Sequence, residues 1–294
     1  MSELIDCINN LSAKDIIKSI AKTANGVPFY LQTVGAGGMA FCAAYQTVYD
    51  SLTTKPSDVI AAAQNIMCCA LVDAGIWTKL DVFYLYAQTT NGASEALVNW
   101  VNPGTYDASL ILAPAFVALE GFAGNGVTVA INWNWKPKSN GVNYTQDNAS
   151  TGCYIRTDVQ ESKVDIGCED GTDRTYLISR HADGNAYNII NAVGNNSVAS
   201  AASTGMFVIN RVLSTHQDLY RNKIRIINGA TASSDMPDRE IYSLARNNDG
   251  LGDLFSSKQL SVAFGGGGLT TGEITILTDA IEVYMDSNGR GVNP

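Results

Sequence analysis

The stretch from Tyr242 to Gly289 constrains the fold most. It reads as a short strand, a polar loop, a second strand over Leu260 to Phe264, four consecutive glycines (Gly265 to Gly268) and one amphipathic helix. Thr270 followed three residues later by Glu273 is a capping box, which satisfies two orphan amide donors at a helix start. Ile274, Leu277, Ile281, Tyr284 and Met285 recur at helical spacing and form an apolar face. Asn288-Gly289 supplies the stop. A helix of this kind at the end of a strand-rich chain predicts a β-sandwich that the helix closes, packed on the outer face or edge of a sheet.

The strands before it fit that expectation. From about Leu80 the apolar period changes from helical to two. Asp81 to Ala87 is apolar almost throughout, as in a strand buried on both faces, whereas Val127, Val129, Ile131 and Trp133 alternate with polar or small residues. Further runs lie at Cys153 to Thr157, Lys163 to Cys168, Thr175 to Ser179, Ala186 to Ile190, Met206 to Val212 and Tyr220 to Ile227. They recur roughly every 8–12 residues with turn residues between them, a sandwich or barrel pattern. Asn228-Gly229 is a two-residue hairpin signal. Alternating βαβ units and solenoid repeats are absent.

Ahead of the strands the pattern is helical. Leu4, Ile8 and Leu11 share one face, as do Ile16 and Ile20, before Asn25-Gly-Val-Pro28 breaks the run. A 50-residue segment this apolar cannot bury itself alone. Residues 1–55 therefore read either as a subdomain packed on the remainder or as an anchor that docks on a partner or on copies of itself. Pro56 to Ala74 predicts a second helix, capped by Ser57 or Asp58, with Ile60, Ala63, Met67, Ala70 and Leu71 buried and Gly75 ending it.

Composition narrows the function. Of 294 residues only 16 % are charged, and the net charge is −9. That balance disfavours phosphate-driven binding to nucleic acid. The first residues lack a basic segment followed by an apolar core, so no secretory leader is expected. No apolar window of about 18 residues predicts a membrane span. The six cysteines (7, 42, 68, 69, 153 and 168) show no metal-binding spacing and are expected as free thiols.

Catalytic signatures are missing. The two histidines, His181 and His216, stand apart, and no G-x-S-x-G elbow occurs. A retaining glycosidase needs two carboxylates about 5–5.5 Å apart. The neighbouring acids Asp158 and Glu161, Glu169 and Asp170, and Asp238 and Glu240 do not follow a strand-face spacing for that purpose, and no enzyme is expected. Two binding motifs remain. Trp133-Asn-Trp135, Asn143 and Tyr144 lie in or beside an Asn-rich loop, and flat rings beside amide side chains suit a sugar; Trp135, Asn143 and Tyr144 are the candidates, against the alternative that these rings are core. Asp218-Leu-Tyr220-Arg-Asn222 spaces Asp218 and Asn222 as hard-oxygen ligands for calcium, the one candidate cofactor, against the alternative of a strand start and its turn.

Gln64 to Met67, Leu71 to Tyr84, Ala96 to Trp100 and Asn102 to Thr105 resemble a segment of phage and prophage virion proteins. Arg221 to Gly229, Leu244 to Asn247, Leu260 to Gly265 and Leu269 to Tyr284 resemble the closing part of the concanavalin A-like (LamG-like) jelly roll in the same proteins. The likeness covers about residues 56–291. It implies a mainly β antiparallel jelly-roll sandwich over 56–294, with residues 1–55 as a helical anchor for attachment and oligomerisation through Leu4, Ile8, Leu11, Ile16 and Ile20. It further implies a structural protein of a virion head or tail fibre, assembled in the host cytoplasm. Its partners would be other virion proteins, copies of itself (a trimer) and host surface glycans. A free carbohydrate-binding lectin or glycan-active protein is the alternative.

Overall fold

The computed structural model describes residues 40–92 and 95–293. Leu4, Ile8, Leu11, Ile16 and Ile20, proposed for attachment, lie outside the described residues, as does Cys7. Among the described residues, helix α1 (Ala43–Ser51) and helix α2 (Asp58–Asp73) precede the strands. In chain order these are β1 (Leu80–Leu85), β2 (Ser109–Ile111), β3 (Ala115–Val117), β4 (Gly121–Ala123) and β5 (Ala130–Asn132). A one-turn helix α3 (Pro137–Asn140) leads to β6 (Ala149–Ile155), β7 (Ile166–Asp170), β8 (Asp173–Ile178), β9 (Asn185–Ala192) and β10 (Asn196–Ala199). Then come β11 (Gly205–Leu213), β12 (His216–Arg221), β13 (Ile224–Gly229), β14 (Tyr242–Ser243), β15 (Arg246–Asn248), β16 (Leu251–Asp253) and β17 (Gln259–Gly266). Helix α4 (Thr271–Ser287) closes the fold.

The strands form two sheets, one of eight strands in the order β13-β12-β11-β6-β17-β4-β3 with β1 also on β17, the other built on β10-β9-β8-β7-β14-β5-β2 with β15 and β16 attached. Pairing is antiparallel except between β15 and β7. The fold is thus the antiparallel β-sandwich with flanking helices that the sequence predicts. Strand β17 is central: β6 takes one edge, and β1 and β4 share the other.

The eight-stranded sheet is covered twice. Val82 and Tyr84 of β1, with Phe207 and Ile209 of β11, face the second sheet and meet Ile131, Trp133, Ile166 and Leu177. Phe83 and Leu85, with Met206 and Val208, face the other way and pack under α1, α2 and α4. Two dry faces explain why Asp81 to Ala87 is apolar on both parities. On β17 a register shift between Leu260 and Val262 sends these two residues, which share parity, to opposite faces.

The helices follow from local signals. In α4 the capping box is present, with Glu273 N donating to Thr270 Oγ1 at 3.2 Å and Thr270 N to Glu273 Oε2 at 2.8 Å. Ile274, Leu277, Ile281, Tyr284 and Met285 are buried on the sheet's outer face. In α2 the N-cap is Ser57, so Pro56 stands ahead of the helix rather than in its first turn. The buried line runs through Ala61, Gln64, Met67, Cys68 and Leu71, so Met67 and Leu71 of the expected stripe are buried, while Ile60, Ala63 and Ala70 are half-buried beside it. The polar Gln64 lies inward because Tyr45 Oη donates to its Oε1 (2.7 Å) and its Nε2 donates to Gln88 Oε1 (2.8 Å). Helix α1, on the N-terminal side of the expected boundary at residue 55, packs Tyr45 and Val48 into the same core.

Two expectations are corrected here. Cys42 and Cys69 form a disulfide with Cα atoms 6.0 Å apart, because α1 and α2 bring them together; Cys68, Cys153 and Cys168 are free and buried. The β12–β13 hairpin turns at Asn222-Lys223, with φ of 46° and 75°, and not at Asn228-Gly229. Asn222 tolerates that conformation, and Gly229 lies inside β13, where a Cβ would meet the end of the Asn196 side chain at 2.2 Å and require it to move.

Candidate functional site

At one rim of the sandwich, three segments distant in sequence meet around a pocket of about 250 Å³. The start of β1 brings Leu80 and Asp81, the loop after Trp100 brings Val101, Asn102 and Tyr106, and the segment from Trp135 to Asn143 completes the wall with Asn140 and Val142.

Each wall is pinned by hydrogen bonds to its backbone. Asn99 Oδ1 accepts from Phe83 N (3.1 Å) and Val101 N (3.2 Å), while its Nδ2 donates to Thr105 O (3.0 Å). Asp107 accepts from Asn99 N (2.8 Å) and Gly104 N (3.1 Å). The Tyr84 hydroxyl lies 2.8 Å from both Tyr106 O and Trp133 O and ties the two segments together, and Tyr106 adopts a φ of 58°, a left-handed conformation uncommon for a bulky residue. On the opposite wall the Asp81 carboxylate accepts from Val142 N (3.2 Å), Asn143 N (2.9 Å), Tyr144 N (2.9 Å) and Asn143 Nδ2 (3.1 Å). Asp81 is the one carboxylate in the lining, and these donors occupy both of its oxygens. The pocket therefore offers a half-buried phenol, amide side chains and two valines, with its one carboxylate already engaged by N–H donors. Val142 stands 83 % exposed at its lip.

The structure brings Trp135 and Asn143 to this pocket and leaves Tyr144 out of it. The expectation of exposed stacking rings is corrected. Trp135 is 0 % exposed and forms the pocket floor, its Cζ3 within 3.3 Å of where a Cβ on Gly265 would stand. Tyr144 is 1 % exposed, packs edge-on against Trp135 and directs its hydroxyl inward to Asn191 Oδ1 (2.8 Å). Both are aromatic enough to complete an interior, and the core claimed them. Asp81, Asn102, Tyr106, Asn140 and Val142 were not singled out from sequence. The turn signal Asn102-Pro-Gly-Thr-Tyr106 marks a loop, but nothing local announces that it meets a segment some 35 residues on.

The proposed calcium pair is not brought together. Asp218 lies in β12, and Asn222 in the turn beyond it, four residues on, or roughly 13 Å along an extended chain. Burial pushes the Asp218 carboxyl up, an effect partly offset by Arg225 at 3.6 Å. Asn222 Oδ1 is taken by Met206 N at 2.8 Å. Among the described residues no group of three or more His, Cys, Asp or Glu is placed to hold a metal. The neighbouring acids are engaged too: Asp158 with Arg180 and Ser203, Glu161 with Ser256 and Ser257, Glu169 with Arg174 and Arg246.

No family model matches the sequence, and no curated protein matches it. Solved structures do resemble the fold. One is a Trypanosoma rangeli sialidase mutant displaying trans-sialidase activity, 13 % identical, covering 80 % of this chain and 39 % of that one at a TM-score of 0.51. Others are domain 4 of AbnA, an extracellular GH43 arabinanase from Geobacillus stearothermophilus in complex with arabinotriose (14 % identity, 68 % and 98 % covered, TM-score 0.44), and the binding domain of botulinum neurotoxin serotype D (13 %, 71 % and 52 %, 0.47). At such identities the likeness is one of fold.

Proposed function

We propose that this chain is a carbohydrate-binding β-sandwich that holds a neutral sugar without turning it over. One observation carries the reading: the rim pocket presents Tyr106, Asn102, Asn140 and Asn143 on pinned walls whose one carboxylate, Asp81, is engaged by N–H donors. A pyranose has apolar C–H faces and a hydroxyl edge, which match an aromatic or valine surface and amide groups respectively. Walls ordered in advance spare the ligand the cost of ordering them.

The test is calorimetric titration with methyl glycosides of glucose, galactose, mannose and N-acetylglucosamine, followed by an oligosaccharide array. Binding by the wild type is expected, weakened about tenfold or more (about 1.4 kcal/mol) in Tyr106→Ala and Asn102→Ala. No binding by the wild type to any neutral glycan overturns the reading.

The sequence resemblance to virion appendage proteins supports a second reading, in which the same domain is displayed on a particle as a trimer and meets host surface glycans. Light scattering of the purified chain and its search in assembled particles test it. A monomer at high concentration that is absent from particles sinks it.

A further inference from the structure

The Asp81 carboxylate is a poor sugar ligand, since its lone pairs already serve four N–H groups. Its position has a separate origin. In the β1–β17 ladder Leu80 pairs with Gly266 and Val82 with Gly265, so two steps on β1 match one on β17. Asp81 is the extra residue, a β-bulge. Such a bulge re-aims a side chain that plain alternation would direct elsewhere. Here the bulge lies where β17 passes into its glycine run, and Gly266 admits it: a Cβ there would stand 2.4 Å from Lys79 O and 2.6 Å from Leu80 Cα. Three consecutive backbone amides, Val142 to Tyr144, converge on the carboxylate that the bulge presents.

We infer that Asp81 is the positioning residue of the pocket: placed by the bulge, it holds the 142–144 wall in its binding conformation and so sets affinity without touching the ligand. The same hold keeps Val142, an apolar residue, out at the lip, where a sugar's C–H face would cover it. The second part of this inference, that affinity depends on Asp81, rests on the glycan reading; the first part, that Asp81 orders the wall, does not.

Two measurements separate them. Hydrogen exchange at the Val142, Asn143 and Tyr144 amides is compared in the wild type, Asp81→Asn and Asp81→Ala, and each protein is titrated with the same four methyl glycosides. The expected result is faster exchange at those three amides, about tenfold or more in Asp81→Ala, with smaller changes in Asp81→Asn, and a parallel loss of affinity. Asn102→Ala serves as control, losing affinity with exchange at 142–144 unchanged, a split that a merely structural loss would not give. Unchanged exchange in Asp81→Ala overturns the inference, and so does a loosened wall with unaltered affinity. If Asp81→Ala fails to fold, Asp81→Asn decides by the same two readouts. If the wild type binds none of the glycosides, the glycan reading falls and with it the role in affinity, while the exchange measurement alone decides whether Asp81 orders the wall.

Discussion

At the scale of single residues, the rings of Trp133, Trp135 and Tyr144 belong to the interior. Trp133 donates its indole N–H to Ser243 Oγ at 2.9 Å, and Tyr144 reaches Asn191; both complete the interior. Trp135→Ala is accordingly expected to cost about 3–5 kcal/mol of stability, read as a shift in the urea unfolding midpoint, because it empties a core site. It would confound any sugar-binding assay, whereas the half-buried Tyr106 can be altered with less harm. The sequence made the Asn-rich loop visible and named Trp135 and Asn143, which the structure brings to the pocket lining. It could not show which tryptophan faces were covered, since burial depends on strands from the opposite sheet. Nor could it show Asp81 as special: inside an apolar run it reads as an isolated charge, and only the register against Gly265 and Gly266 exposes the bulge.

At the scale of elements, α4 was the most legible part of the chain, because its cap, stripe and stop are all local. Its Glu273 carboxyl lies below the ordinary glutamate range: burial opposes the shift, and the Lys79 ammonium at 2.6 Å together with the Thr270 N–H outweighs it. A carboxyl with a lowered native pKa stabilises the fold fully above its unfolded value of about 4.3 and loses that contribution as pH falls through the native value. Glu273→Gln is therefore expected to lower the melting temperature at pH 7 and to flatten the acid limb of stability below about pH 4; parallel acid limbs for the two proteins would refute this. Helices α1 and α2 were less legible, because the disulfide joins cysteines 27 residues apart whose meeting depends on helix packing. Closing a loop of that length is worth about 3.5 kcal/mol in the chain-entropy account. Cys42→Ser should lower the urea midpoint of the oxidised protein and leave that of the reduced protein nearly unchanged, and a non-reducing peptide map should show Cys42 linked to Cys69.

At the scale of the whole molecule, helices cover one face of the eight-stranded sheet and the second sheet covers the other. Ending the chain at Leu269 would remove one of the three helices from the face that carries Phe83, Leu85, Tyr154, Val208, Val262 and Phe264, and would bare the part of it, and of α2, that α4 covers. The truncated protein is expected to aggregate or to bind hydrophobic dyes strongly, as a large apolar patch does; a soluble, dye-silent product would contradict this layering. The period of the longer strands was readable from sequence, but the short strands β2, β3, β4, β10, β15 and β16, the break between β12 and β13, and the strand order were not. Neighbours such as β6 and β17 lie more than a hundred residues apart, and nothing local encodes that pairing. The place of β17 also has a bearing on synthesis. The strand on which β1, β4 and β6 all pair spans residues 259–266, downstream of every other strand of its sheet. Translation at about 5–20 residues per second delivers it after all of them. For several seconds the earlier strands wait with open edges, and the eight-stranded sheet closes only once β17 has been made. A ribosome paused before residue 259 would therefore hold a protease-sensitive chain, and synthesis through β17 and α4 converts it to a resistant one.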